Sequence, residues 1–430
     1  MSTPALLTDH YELTMVDAAL RSGEADRRCA FEVFARSLPG RRRYAIVAGL
    51  GRLLDELTRF RFDDEALDFL TTHEVIDHAT RDWLADYRFN GSIDSYPEGE
   101  VYFPGSPVLM VEGTFAECVL LETLVLSVLN HDSAVATAAA RMVTAAGGRP
   151  CIEMGSRRTH EQAAVAAARA SYIGGFAASS NLAAGQRWAI PTAGTAAHAF
   201  TMIHPDERTA FRAQVDALGD GTTLLVDTYD VSQGIRSAVE VAGRSLGAIR
   251  LDSGDLLTQA RDARTLLDEL GATQTRIVVT GDLDEFAIAG LASAPVDGYG
   301  IGTSLVTGSG SPTAGFVYKL VARQADDGTW QPVAKRSLGK ATIGGRKVAS
   351  RRLDSGGTAI AELIRAEVPP SRRDDERELQ VPAVREGEVV ADVALDTARK
   401  RCAASIAELP AHAMKLSAGE PAIETVLEEA

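Results

Sequence analysis

Apolar residues change their spacing twice along this chain. In the first ~145 residues, helical and alternating patterns are mixed. HYELTMVDAALRS predicts a helix that Thr8 or Asp9 can cap and that Gly23 stops. CAFEVFA alternates like a strand, and YAIVAGLGRLLDEL has helical spacing. SIDSYPEGEVYFPGSPVLMVEGTF reads as strands parted by Pro and Gly turns, and AECVLLETLVLSVLNH as an apolar helix. Its most apolar part, Cys118 to Leu129, is interrupted by Glu122, Thr123 and Ser127. It falls short of the ~20 residues a bilayer requires.

From ~149 to ~305, short apolar runs recur, each followed by a polar or glycine turn and a helical pattern. The clearest are PCIEMG, TTLLVDT, LGAIRLDSGD, RIVVTGDLDE and VDGYGIGTS. Asp227, Asp252 and Asp282 mark spacings of 25 and 30 residues, and 20 more reach Gly302. Strands separated by helices of this size are βα units, which build a parallel sheet or barrel. Right-handed crossovers then bring every post-strand turn to the carboxyl-terminal face.

The remainder is β-like again in GFVYKLVAR, TWQPVAKRS and GRKVASRRL. A charged stretch, AEVPPSRRDDERELQVP, reads as a solvated connection, and ALDTARKRCAASIAELP as a final helix. The expected division is an α/β domain over 1–145, a catalytic α/β domain over 146–320, and carboxyl-terminal segments over 321–430 that return to the first.

The 430 residues carry 44 Lys and Arg against 59 Asp and Glu, a net charge of −15. With 45% apolar and 24% charged residues, disordered and fibrous classes drop out. An acidic surface repels phosphate backbones and anionic lipid, which excludes a general nucleic-acid or membrane binder. A small anionic substrate therefore needs a local cluster of Arg, Lys or backbone amides. Cys29, Cys118, Cys151 and Cys402 lie far apart without a CxxC, which argues against zinc or a disulfide framework and fits a reducing cytosol. Asp9 and Glu12 make the amino terminus unlike a signal peptide, so a soluble cytoplasmic protein is expected.

Three strands end in an acidic residue. One such Asp is often only a helix cap. Three on one face can accept hydrogen bonds from sugar hydroxyls, hold Mg²⁺ through water or stabilise a developing positive charge. Arg250 precedes Asp252 by two residues, so an extended strand points both the same way. Ser253-Gly254, Gly281-Asp282 and Gly302-Thr303 sit at the same strand ends, where backbone amides suit phosphate oxygens. Neither a Walker loop nor a GxGxxG fingerprint is present, and the late position favours a barrel-type phosphate site. Arg157 and Arg158 follow another strand, where one is a surface charge and the other a candidate anion clamp. His198 lies among small residues, a setting in which a lone histidine is more often structural. Arg41-Arg42-Arg43 reads as a solvated loop and Tyr11 as a packing residue.

Taken in order, TDHYELTM, EMGSRR, GTAAHAF, VDTYD, IRLDSGDL, VTGDLDE and GYGIGTSLVT, followed by VYKLV and AKRSLGK, resemble the signature motifs of the nicotinate phosphoribosyltransferases. The resemblance runs from ~6 to ~350. It implies a type II phosphoribosyltransferase with an irregular TIM-like α/β barrel, a second α+β domain built from both chain ends, and a homodimer with shared active sites. The implied reaction joins nicotinate to 5-phosphoribosyl 1-pyrophosphate, giving nicotinate mononucleotide and pyrophosphate, coupled to ATP hydrolysis and dependent on Mg²⁺. By motif, His198 is similar to the transiently phosphorylated histidine, and Thr195 to a residue beside nicotinate. Tyr11 matches the aromatic that stacks on the pyridine. Arg250 and Arg157 match residues of the ring and anion pocket. Asp252 and Asp227 match positions that handle ribose and metal-bound pyrophosphate. Ser253, Gly254, Gly281, Asp282, Gly302 and Thr303 match phosphoribosyl-binding turns. Met154 stands where the related nicotinamide enzymes place a second stacking aromatic. The alternatives are a related enzyme acting on nicotinamide or quinolinate, or a non-catalytic nucleotide-binding homologue.

Overall fold

A computed structural model describes residues 3–335, 343–367 and 373–428. The chain folds into two compact units, one made of Met1–Thr137 with Ser311–Ala430, the other of Ala138–Gly310.

The first unit is therefore built from both ends of the chain. Its seven-stranded sheet runs Trp330–Pro332, Phe316–Gln324, Arg28–Ala35, Leu109–Thr114, Ser92–Ser95, Val381–Arg385, Glu388–Val389, every neighbouring pair antiparallel. A second sheet orders Glu376–Glu378, Lys347–Leu353, Ala359–Ala366 and Glu424–Glu428. The apolar face of the first sheet carries the core, with Phe31 and Tyr318 stacked at 4.9 Å between ring centres. The first long helix, His10–Ser22, is capped by Asp9 and closed by Gly23 in the left-handed conformation (φ 80°), as its pattern predicts. Glu12 on that helix is buried and accepts from the backbone N–H and hydroxyl of Thr123, pinning the helix to the first turn of Glu122–Ala146.

Four expectations are corrected here. YAIVAGLGRLLDEL is not one helix: Ala45–Ile46 is a strand and only Leu50–Leu57 is helical, because Gly49 breaks the pattern at φ 106°. The apolar stretch beyond Cys118 continues to Ala146, long and apolar enough by composition to cross a membrane, yet most of it is buried inside the protein as a core helix. Residues 368–372 of the charged stretch lie outside the described residues, but its later part is not a solvated connection. Glu376 begins a strand and is buried against Arg365, the pair meeting at 2.8 Å. Nor is Arg41–Arg43 a free loop. Arg42 is buried, and the backbone N–H groups of Gly419 and Ala422 donate to the carbonyls of Arg41 and Arg43. Of AKRSLGK, everything after Lys335 lies outside the described residues.

The second unit holds six parallel strands in the order Ala178–Ser179, Cys151–Glu153, Gly298–Ile301, Arg276–Val279, Ala248–Leu251, Thr223–Leu225. Helices Glu161–Ile173, Val231–Ala242 and Leu256–Glu269 separate them. The five apolar runs are all strands. The sixth, Ala178–Ser179, is two residues long and leaves no periodic trace. The outer strands do not pair with each other, so the barrel is an open half-barrel. Parallel pairing gathers all six carboxyl ends on one edge.

Candidate active site

A cavity of about 800 Å³ opens at that edge. Ten of the thirteen residues to which the resemblance gives a role line it, Arg157, Thr195, Arg250, Asp252, Ser253, Gly254, Gly281, Asp282, Gly302 and Thr303, and so do Met154 and Arg158. His198 and Asp227 stand beside Asp252, the imidazole within 4 Å of both carboxylates. Tyr11, with its side chain exposed, belongs to the first unit.

Sheet register sets this arrangement. Leu225, Arg250 and Val278 are neighbours across three strands, so Asp227 and Asp252 each emerge two residues beyond the same level. Arg250 and Asp252 share a face, as the i, i+2 rule requires, with Nη2 to Oδ1 at 3.5 Å. The Arg250 Nη1 also donates to the Thr195 hydroxyl and, at 3.1 Å, to the Ala196 carbonyl. The guanidinium thus fastens the Thr192–Ala197 loop over the strand ends.

Asp227 has two unlike oxygens. Oδ2 accepts from the Asp252 backbone N–H at 2.8 Å and the Ser253 hydroxyl at 3.1 Å. Oδ1 is buried without a hydrogen-bond partner. His198 opens the helix His198–Met202, and its Nδ1 lies 3.2 Å from the Thr228 hydroxyl. Its Nε2 is 3.9 Å from Asp227 Oδ1 and 3.8 Å from Asp252 Oδ2. The Thr280 hydroxyl donates to Asp252 Oδ1. Two carboxylates thus flank one imidazole, each held by donors from the strand ends.

The glycines serve geometry. Gly281 adopts φ 128°, beside the Asp252 carbonyl. A Cβ on Gly300 would come within 2.5 Å of the Thr280 methyl and 2.7 Å of the Met154 sulfur, so the cavity floor requires glycine there. Beneath the EMGSRR turn, Glu153 is fully buried, accepting from the Gly155 N–H and the Ser179 hydroxyl. Burial pushes its carboxyl above the usual range, against those two hydrogen bonds. Glu207 is also buried, with Oε1 unpartnered; burial, then Asp227 and Asp230, push its carboxyl up to about 7.

Sequence reasoning passed over Glu153, Thr228 and Thr280, all inside motifs it quoted, and Glu207, which no motif contains. Among the described residues no group of three or more His, Cys, Asp or Glu is arranged to hold a metal by itself. The unpartnered Asp227 oxygen and the outward Asp252 carboxylate instead suit a hydrated cation that brings its own phosphate ligands.

Carboxylates, an arginine and glycine turns on the carboxyl edge of a parallel half-barrel define an α/β enzyme site for an anionic, phosphate-bearing substrate. A family profile described as the nicotinate phosphoribosyltransferase (NAPRTase) N-terminal domain matches residues 6–130. The chain is 62% identical over 429 residues to the nicotinate phosphoribosyltransferase pncB1 of Mycobacterium tuberculosis (strain CDC 1551 / Oshkosh), covering 98% of this chain and 94% of that protein. It is 39% identical over 359 residues to the nicotinate phosphoribosyltransferase of Bacillus subtilis (strain 168), covering 81% and 73%. The crystal structure of human nicotinic acid phosphoribosyltransferase superposes with a TM-score of 0.85 at 28% identity, covering 98% of both chains. This chain belongs to the nicotinate phosphoribosyltransferase family.

Proposed function

We infer that the protein is an enzyme, a nicotinate phosphoribosyltransferase: nicotinate and 5-phosphoribosyl 1-pyrophosphate give nicotinate mononucleotide and pyrophosphate, ATP hydrolysis is coupled, and the product feeds NAD salvage. The observation that carries this is the meeting of Arg250, Asp252, Gly281-Asp282 and Gly302-Thr303 around one cavity, with His198 beside it.

Breaking the bond between ribose C1 and pyrophosphate leaves oxocarbenium character on the sugar and negative charge on the leaving group. Asp252 and Asp227 stabilise the first and Arg157 stabilises the second, while the backbone amides of the Gly281 and Gly302 turns hold the phosphoribosyl group. The pyridine nitrogen attacks without a general base, because no proton leaves it. Thr195 and Arg250 orient the nicotinate carboxylate, and Ser253 and Gly254 border the ribose. Asp227 and Asp252 are the residues that would hold Mg²⁺, which supplies charge neutralisation of pyrophosphate. His198 takes the γ-phosphoryl group from ATP, releasing ADP, and water later cleaves the phosphohistidine to free histidine and phosphate, while Asp227 orients the imidazole.

The assembly is a homodimer in which Tyr11 of one subunit covers the pyridine in the other; exposure of the Tyr11 ring supports this. Four buried cysteines, all free thiols, support residence in the reducing cytoplasm. A screen of nicotinate, nicotinamide and quinolinate, each with and without ATP, is the direct test. Nicotinate turnover stimulated by ATP is expected, and preference for either other base overturns the assignment.

A further inference from the structure

Glu285 ends the VTGDLDE motif, and nothing in the reaction just described uses it. Its side chain is 2% exposed. The preceding Asp284 is the cap of helix Glu285–Gly290, accepting from the N–H groups of Phe286 and Ala287 at 2.9 and 2.8 Å. The Glu285 carboxylate makes contacts distant in sequence. Oε1 accepts from Arg141 Nε at 3.0 Å, and Oε2 accepts from the Ser309 hydroxyl. Arg141 comes from the long helix Glu122–Ala146 and is itself buried. Ser309 lies just beyond helix Thr303–Val306 and donates its N–H to the Ser304 carbonyl. It has φ 51°, a left-handed conformation that a non-glycine residue keeps only where its surroundings hold it.

Glu285 therefore ties the segment that follows one turn of the cavity to the segment that follows another. The first turn is Gly281-Asp282, three residues before Glu285. The other is Gly302-Thr303, which opens helix Thr303–Val306, with Ser309 three residues beyond the end of that helix. We propose that Glu285 is a positioning residue that sets the spacing between these turns, so that both face the phosphoribosyl group of the substrate at once. This rests on the phosphoribosyl role given to the turns above. A plain core ion pair needs only Arg141; the second bond, to a residue held left-handed behind the other turn, is what gives Glu285 a task in binding. Burial by itself would raise the Glu285 carboxyl. The hydrogen bonds from Ser309, the backbone and Arg141 together outweigh it and keep the carboxyl below its usual range, so the charge persists.

The test uses the full-length protein and two variants. Glu285→Gln weakens both contacts, while Ser309→Gly removes one hydroxyl and adds no backbone strain. Each is expected to raise KM for phosphoribosyl pyrophosphate, about tenfold for Glu285→Gln and less for Ser309→Gly, with KM for nicotinate within about twofold. A fall in thermal stability with both KM values unchanged, or an equal rise in both, overturns the proposal. Should Glu285→Gln fail to fold, Ser309→Gly decides alone. Calorimetric binding of ribose 5-phosphate separates this inference from the function it rests on. A protein that does not turn over nicotinate refutes the function, whereas equal ribose 5-phosphate affinity in native protein and Ser309→Gly refutes the positioning role.

Discussion

The buried Oδ1 of Asp227 lies 3.9 Å from Nε2 of His198 and accepts no hydrogen bond, although Oδ2 of the same carboxylate accepts two. Leaving a buried acceptor unmet costs roughly 1–3 kcal/mol, so its retention beside an imidazole points to charge arriving during the reaction. On the function proposed above, a cation held with the substrate's phosphates would provide that charge.

His198→Ala is accordingly expected to lose ATP hydrolysis and the stimulation by ATP, while slow ATP-independent nicotinate transfer persists. ADP formed per nicotinate mononucleotide measures the coupling, and mass spectrometry maps the acid-labile phosphate. Undiminished coupled hydrolysis in the variant assigns the phosphoryl acceptor elsewhere.

Arg250 bears on substrate choice. Hydrogen bonds to a charged group contribute ~1.5–3 kcal/mol, so Arg250→Ala is expected to lower kcat/KM for nicotinate roughly 10- to 100-fold. Nicotinamide, lacking the carboxylate, should lose much less. Part of the loss will come through the Thr195 loop, which the same guanidinium fastens. A parallel loss with both bases would show that fastening the loop is its whole role.

Shared sites predict complementation. Mixing Tyr11→Ala with Asp252→Ala, each inactive alone, should restore about a quarter of native activity once subunits exchange, because half the dimers are mixed and each holds one intact site. Exchange demonstrated by mass with no activity regained would place Tyr11 in the site of its own chain.

Glu207 gives a pH dependence of known sign. Its carboxyl is raised from an ordinary 4.5 to about 7, so its contribution to stability is whole below pH 4.5 and is lost as pH climbs through 7. Glu207→Gln has no such proton to lose. The melting temperature of Glu207→Gln relative to the native protein should therefore rise between pH 5 and pH 8. A difference independent of pH would mean that the glutamate is already ionised at pH 5.

The half-barrel was legible because its signal is local. Each strand is a short apolar run, each ends in a turn residue, and parallel pairing does the rest, so Asp227, Asp252 and Asp282 mark one edge from sequence alone. The antiparallel unit was not legible in the same way. Phe31 pairs with Leu320, and Lys347 reaches Glu32, contacts that no window of residues contains. Within the site, charged and glycine positions announced themselves, whereas Thr228 and Thr280 did not, since a threonine hydroxyl aimed at a histidine or an aspartate looks like any strand-end threonine. Glu207 stayed hidden for a related reason: it opens an ordinary amphipathic helix, and only folding shows that its carboxyl is enclosed.

The 25-residue helix Glu122–Ala146 has 16 residues in one compact unit and nine in the other. A truncation at that boundary would cut the backbone hydrogen-bond ladder in mid-helix, leaving four amides and four carbonyls without partners at the new ends. Nine residues are also too few to persist as a helix in water unaided. The two units are thus not interchangeable cassettes. A gene fragment encoding residues 138–310 would start inside a severed rod, and recombination between relatives would have to carry that rod across whole.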